Sequence, residues 1–371
     1  MLSNQDISRY NRQLMLPGFG KSGQEKLKNS RVLVVGAGGL GAPVLQYLAA
    51  AGVGKIGIID HDVVDETNLQ RQVIFDEKDI GKSKAEVAAR YLTQRNSLIS
   101  VQPFNQQLTP ANVENLFSDF EIVVDCTDNF SSRYLINDAC AVMEKVMVYG
   151  SIHRFQGQVS IFHLNGQDSP TYRCLFPEPP EPGTVQNCAE AGVLGVLPGL
   201  IGAIQANEAI KIITRLGDVL SGKLFMMDAL TMESSLLEIS RNPNTDSITP
   251  ATMQEIRNSR YQFACDAPTN VPEITSADLM NRLKNGEKME FVDVREPDEG
   301  PPPNELASRQ IPLSELDAQF DDFNPQKTYI LFCQVGRRSA WAVHQLKEKY
   351  QTGKFLNLKG GIEAWNQKNV E

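Results

Sequence analysis

Two short stretches of this chain carry residue types whose spacing suggests chemistry. The first is Gly36-Ala37-Gly38-Gly39-Leu40-Gly41, with Gly36, Gly38 and Gly41 at G-x-G-x-x-G spacing. Gly36 permits a tight turn, Gly38 lets backbone approach a phosphate, and Gly41 allows close helix–strand packing. The second is Cys333-Gln334-Val335-Gly336-Arg337-Arg338-Ser339, a cysteine heading a loop that runs into a helix. The loop's N–H groups, the helix N-terminus and Arg338 would lower a thiol pKa and hold an anionic sulfur. Several further residues gather around the glycine stretch. Asp60 stands about where a dinucleotide fingerprint wants an acid for a ribose hydroxyl. Arg71, among the amides of Asn68-Leu69-Gln70-Arg71-Gln72, reads as a surface arginine or as a planar fork for a β- or γ-phosphate. Lys82 and Lys84 open a helix, where a local negative partner would suit them. Cys188, in the polar run Asn187 to Gly192, is a reactive thiol or a passive small residue. Arg12, in Tyr10-Asn11-Arg12-Gln13, reads first as a solvated side chain.

These residues need elements to hold them. Val32 to Val35 reads as a buried parallel strand running into the glycines, with a helix at about 42–51 pointing its positive end at an anion. A second strand, 55–59, ends at Asp60. A helix follows at about 81–96, a strand at 100–107, and a helix start at Thr109-Pro110. The strand 121–126 ends in Thr127-Asp128-Asn129. In a doubly wound sheet ligands collect at the carboxyl ends of strands, so Asp60 and Asp128 are a natural pair, one for ribose and one for Mg²⁺. The competing reading of Asp128 is a helix N-cap. Further strands at 146–149 and 158–162, a helix at 200–216 and strands at 223–227 and 236–239 complete a first domain, residues 1–241. A polar stretch, 242–272, reads as a linker with a short helix near 251–259. A second domain, 273–371, has strands at 290–295 and 329–332 and a helix at 339–350 after Cys333. The fold class is α/β: a Rossmann-like doubly wound sheet followed by a smaller α/β domain.

The chain has 371 residues, 41% of them apolar and 22% charged, ordinary globular values for two or three domains. The net charge of −9 argues against nucleic acid, which wants a basic face. The first residues lack a basic-then-apolar signal pattern. The longest apolar run, 191–204, is broken by Pro198 and is too short to span a bilayer. The expectation is a cytoplasmic protein without a membrane partner. Its six cysteines are scattered, with no C-x-x-C pair, so neither a disulfide framework nor a standard zinc site is visible.

On these residues residues 5–241 resemble the MoeB/ThiF adenylyltransferases, relatives of the ubiquitin-activating enzymes. The motifs are Arg9-Tyr10-Asn11-Arg12-Gln13, the glycine stretch, Asp60, Asn68 to Gln72, Lys84, Asp125 to Asn129, and Cys188 to Gly192. Residues 273–368 resemble a rhodanese domain through Asp293-Val294-Arg295-Glu296, the Cys333–Arg338 loop and Leu358 to Trp365. The resemblance implies MgATP as cofactor and a small ubiquitin-like sulfur carrier as partner, whose C-terminal glycine carboxylate is adenylated with release of pyrophosphate. It implies that Gly38, Gly39 and Gly41 cradle the nucleotide and Asp60 holds ribose. Arg71 and Lys84 neutralise polyphosphate, Asn68 lies beside the reacting phosphate, and Asp128 takes Mg²⁺. Arg12 comes from the partner subunit of a homodimer. Cys333 carries persulfide sulfur from a donor such as a cysteine desulfurase, and Cys188 is a candidate to take the acyl group, or a mixed acyl–sulfur linkage, in between. Molybdopterin, thiamine and tRNA thiolation pathways all use this chemistry.

There are departures. Family members commonly carry two C-x-x-C pairs for a structural zinc. Here Thr171 stands where the first cysteine of the Cys174 pair belongs, and the second pair is missing after Arg241-Asn242-Pro243. Cys174 and Cys265 do not make a four-ligand site, so no structural zinc is expected. The rhodanese part lacks the usual Gly-His-Ile run, with 299–309 in its place. Two rival functions are an NAD-dependent oxidoreductase, which the glycines and Asp60 allow, and a sulfur-relay scaffold without adenylation.

Overall fold

The computed structural model describes residues 1–179, 192–259, 261, 271–301, 306 and 308–368. They fall into two compact units: residues 1–178 and 192–261 in one, 271–368 in the other.

The first unit is built on an eight-stranded sheet. In spatial order it runs β3 (Ser100–Phe104), β2 (Lys55–Ile59), β1 (Arg31–Val35), β4 (Ile122–Asp125), β5 (Val146–His153), β6 (Gln156–Phe162), β7 (Lys223–Asp228) and β8 (Ser234–Glu238). The first five are parallel and the last three join antiparallel. The continuous apolar runs of β1 and β4 suit strands covered on both faces, and the last four residues of β1 and all four of β4 are buried. Strand order reverses between β1 and β4, which puts the topological switch point beside Gly36. The helix Gly41–Ala51 packs on Leu197–Thr214, and Gly52 closes it in the left-handed conformation. Pro198 sits in the first turn of Leu197–Thr214, so that helix starts three residues before the sequence reading places it.

Two further elements differ from the reading. The helix read from Thr109-Pro110 begins at Val113, because the Asn112 side chain bonds back to the Thr109 N–H and makes a turn of the preceding residues. Residues 242–261, read as linker, pack on the first unit. The helix Met253–Asn258 lies on Phe130–Val142, and the Tyr261 hydroxyl donates to buried Asp138. The residues between the units are therefore fewer than the polar composition suggests.

The second unit is a five-stranded, wholly parallel sheet. Its order is β11 (Ser308–Gln310), β10 (Glu290–Asp293), β12 (Thr328–Phe332), β13 (Lys354–Leu358), β9 (Glu273–Ile274). Its two faces carry separate apolar clusters, one around Val343 and Leu346, the other around Leu279 and Trp365. No described helix is long and apolar enough to cross a membrane.

Candidate active site

The glycine loop forms where β1 ends. Gly36 has φ +97°, and an added Cβ there would stand 2.7 Å from the Cys126 carbonyl oxygen. A Cβ on Gly41 would stand 2.0 Å from the Gly36 carbonyl oxygen, so the first helical turn closes onto the loop only without a side chain. Register brings three strand ends level, since Val35 pairs with both Ile59 and Asp125. Asp60 follows Ile59 directly. Its Oδ2 accepts the Ala37 N–H at 2.8 Å and its Oδ1 the Asp62 N–H at 2.9 Å, which ties β2 to the glycine loop. Burial raises this carboxyl above its ordinary value, against the pull of the two N–H donors and Lys84. Lys84 is buried at the start of the helix Lys84–Arg95, and its Nζ donates to Asp62 Oδ2 at 2.9 Å. The negative partner expected for this lysine is thus Asp62; Lys82 pairs with Asp79.

Asn68-Leu69-Gln70-Arg71-Gln72 folds over the same loop. Asp65 and Asn68 cap a short 3₁₀ turn reciprocally, so the chain reverses and carries Arg71 and Gln72 inward. Arg71 Cγ would lie 3.5 Å from a Cβ on Gly39, and Gln72 Nε2 3.6 Å from one on Gly38. The Arg71 Nη1 donates to the Thr67 carbonyl at 3.0 Å, which aims the guanidinium. Sequence reasoning passed over Gln72. It is 4% exposed, and its Oε1 is buried without a hydrogen-bond partner among the described residues. An acceptor left so is costly unless a ligand supplies a donor.

Beyond β4, Asp125 accepts both the N–H and the hydroxyl of Thr127, at 2.9 and 2.6 Å. Buried Arg133 pairs with Asp125 at 3.0 Å and donates to the Thr127 carbonyl at 2.9 Å. This fixed turn presents Asp128, which is exposed. The helix N-cap is Asn129, whose Oδ1 accepts the Ser132 N–H, so the capping reading of Asp128 does not hold. An exposed carboxylate at a strand end fits a hard cation carried by a nucleotide. In the N-terminal arm Tyr10 is buried and Gln13 bonds to Gln24 and the Ala51 carbonyl, leaving Arg12 exposed between them. Cys188 lies outside the described residues.

In the second unit Cys333 is buried, and its Sγ accepts the Gly336 N–H at 3.2 Å, with the Ser339 hydroxyl 3.5 Å away. The helix runs Arg337–Lys349, two residues earlier than read, because left-handed Gly336 starts it. Gly361 lets the helix Gly361–Lys368 brace the cysteine loop: Ile362 N–H donates to the Cys333 carbonyl and Glu363 N–H to that of Gln334. Arg338 differs from its expected part. Its guanidinium is paired with Glu299 rather than reserved for sulfur.

The switch-point glycine loop and the parallel strands define a doubly wound nucleotide-binding enzyme, followed by a domain built round a cysteine loop. The ThiF family matches residues 10–249 and the rhodanese-like domain residues 275–368. The probable adenylyltransferase/sulfurtransferase MoeZ of Mycobacterium tuberculosis is 42% identical over 368 residues, 98% of this chain and 94% of that protein. The sulfur carrier protein adenylyltransferase of Thermus thermophilus is 47% identical over 244 residues, 65% of this chain and 90% of that one. Among solved structures, E. coli MccB with ATP is 25% identical with a TM-score of 0.53, covering 65% of this chain and 72% of that one. The chain belongs to the ThiF family of adenylyltransferases, with a rhodanese-like sulfurtransferase domain behind it. ATP use comes with that family, and the oxidoreductase reading falls away.

Proposed function

We propose that the first unit adenylates the C-terminal glycine of a small ubiquitin-like sulfur carrier and that the second supplies the sulfur. The observation that carries this reading is the packing of Arg71 and Gln72 against Gly39 and Gly38 at the switch point. The name of the Thermus thermophilus relative supports a sulfur carrier as partner.

In this reading the carrier carboxylate attacks the α-phosphorus of ATP and pyrophosphate leaves. Asp60 holds ribose from its place beside the Ala37 N–H, and Gln72 Oε1 accepts a hydrogen bond from the nucleotide. Arg71 and Lys84 stabilise charge growing on the leaving phosphates, while Asn68 orients the reacting one. Asp128 would hold Mg²⁺, which supplies charge neutralisation when bound. Arg12 reaches the site of a second protomer, and the exposed Met15 and Leu16 beside it support a homodimer. Cys333 receives sulfur as a persulfide, from a donor such as a cysteine desulfurase. The persulfide's outer sulfur attacks the acyl carbon and AMP leaves. A second thiol then attacks Cys333 Sγ, releasing the thiocarboxylate and forming a disulfide. The reading places these steps in the cytoplasm and needs no structural zinc.

The test is ATP–pyrophosphate exchange with candidate carriers in turn. Exchange that requires an intact carrier C-terminus supports the reading; exchange with no carrier dependence sinks it.

A further inference from the structure

Asp62 joins two residues that the adenylation reading gives to opposite ends of the nucleotide. Its N–H donates to Asp60 Oδ1 at 2.9 Å, and its Oδ2 accepts the Lys84 ammonium at 2.9 Å. Asp60 is the ribose acid and Lys84 the phosphate lysine of that reading, on which this inference rests. The partners of the ion pair differ in exposure: the Lys84 side chain is 8% exposed and that of Asp62 56%. The lysine is enclosed, and the carboxylate that holds its charged end stands at the solvent edge.

The backbone places Lys84 independently of this ion pair. Residues 62–64 run beside 81–84. The Lys84 N–H donates to the Asp62 carbonyl at 3.0 Å, the Val64 N–H to that of Lys82 at 2.9 Å, and the Gly81 N–H to that of Val64 at 2.8 Å. Val63 and Ser83 form an antiparallel bridge, and Ser83 caps the helix Lys84–Arg95. What the Asp62 carboxylate adds is the direction of the ammonium. It is also not the lysine's sole negative neighbour. Lys84 works against the rise that burial gives Asp60, and it adds to the Thr67 donors that hold Asp65 below its ordinary value. Removing the Asp62 charge therefore leaves the helix start in place and the ammonium in the field of two other carboxylates.

An ammonium free to swing onto the phosphates of ATP binds substrate and transition state alike, and such uniform binding does not raise turnover. Charge that grows on leaving phosphates is served by a cation already aimed at it. We propose that Asp62 is a positioning residue of the adenylation site. Its carboxylate keeps Lys84 Nζ from settling on the phosphates of the ground state, and its N–H fixes the Asp60 carboxylate in the same stroke.

The experiment compares wild type, Asp62→Asn, Asp62→Glu and Lys84→Met as full chains. Asp62→Asn should melt with wild type, because a half-exposed carboxylate contributes little to stability. Its KM for ATP in pyrophosphate exchange should fall about threefold while kcat falls about tenfold, the split expected when ground-state binding tightens without the transition state. Titration with α,β-methylene-ATP should show the same tightening without turnover. Asp62→Glu, which restores the charge, should return both constants toward wild type. A KM that rises with kcat unchanged, or constants that do not move, would overturn the proposal, as would a collapsed melting temperature in Asp62→Asn. If those results came with inactive Lys84→Met and carrier-dependent exchange in wild type, the adenylation reading would stand and only the role of Asp62 would fall. If wild type showed no carrier-dependent exchange, that reading would fall, and the α,β-methylene-ATP titration would still decide whether Asp62 withholds Lys84 from phosphate.

Discussion

Arg338 and Glu299 meet fork to fork: Nη1 to Oε1 at 2.5 Å and Nη2 to Oε2 at 2.7 Å, with the arginine buried. The pair is assembled through the Asp293-Val294-Arg295 motif. Arg295 is buried against Asp293 and donates to the carbonyls of Glu299 and Gly300, which turns the Glu299 carboxylate toward the helix that follows Cys333. Burial raises the Glu299 carboxyl, and Arg338 with the Glu296 N–H more than reverses that, so it lies below its ordinary value. A lowered carboxyl contributes stability above its unfolded pKa and loses it as pH falls through the folded one.

Glu299→Gln removes the carboxylate charge that the buried Arg338 guanidinium pairs with. The second unit should lose roughly 3 kcal/mol at neutral pH, and less at pH below the ordinary glutamate value. Persulfide loading of Cys333 should fall with it, because the helix start presents the Gly336 N–H to Sγ. Differential scanning calorimetry across pH checks this, and an unchanged rhodanese transition would refute it.

Gly41→Ala should disable the first unit at its centre. The new methyl would collide with the carbonyl of Gly36, a residue held at the strand end by its own N–H on the Ile59 carbonyl. A loss of roughly 3 kcal/mol is expected, with ATP binding lost as well. A thermal melt and ATP titration would show it; normal binding would mean the loop is looser than the contact implies.

Asp128→Ala and Asn129→Ala should separate function from stability. Asp128 is exposed and caps nothing, so its loss should spare the melt while cutting pyrophosphate exchange at least about a hundredfold. Asn129 caps the helix Phe130–Val142, and its loss should cost about 1 kcal/mol. Near-normal exchange in folded Asp128→Ala would remove it from the site.

His163 should make the first unit acid-sensitive. It is buried, and its Nε2–H donates at 3.0 Å to Asn137 Oδ1, which also accepts the Tyr172 N–H. Burial, with the Arg241 charge adding, pushes the imidazole down from 6.5 to about 4. Between those pH values the unfolded chain binds a proton that the folded one refuses. Stability is therefore fully present above 6.5 and falls by about 3 kcal/mol as pH drops to about 4. His163→Gln should flatten that slope in urea unfolding; an unaltered slope would place the acid sensitivity elsewhere.

The sheet was legible because apolar runs ending in glycine or aspartate mark buried parallel strands, and β1, β2 and β4 lie where those runs predict. The family's motifs named Asp60, Arg71, Lys84 and Asp128 as candidates. What pattern reading could not supply was which side chains meet across the fold. Lys84 is satisfied by Asp62 and Arg338 by Glu299, pairs made by folding rather than spacing. Gln72 carried a signal, an amide beside Arg71, but its orphaned oxygen is visible only in three dimensions. Residues 242–261 look like a linker because polar chains do, yet the Tyr261 hydroxyl is anchored on buried Asp138 and the Asn242 N–H on Cys174 Sγ.

The central claim is that adenylation and sulfur transfer belong to separate units of one chain. Its most direct test is Cys333→Ala, measured for carrier-dependent ATP–pyrophosphate exchange and, on the same samples with a sulfur donor, for persulfide and thiocarboxylate by mass spectrometry. The account predicts wild-type exchange with persulfide and thiocarboxylate both lost. Exchange that collapses in Cys333→Ala, or thiocarboxylate that continues to form, would contradict it.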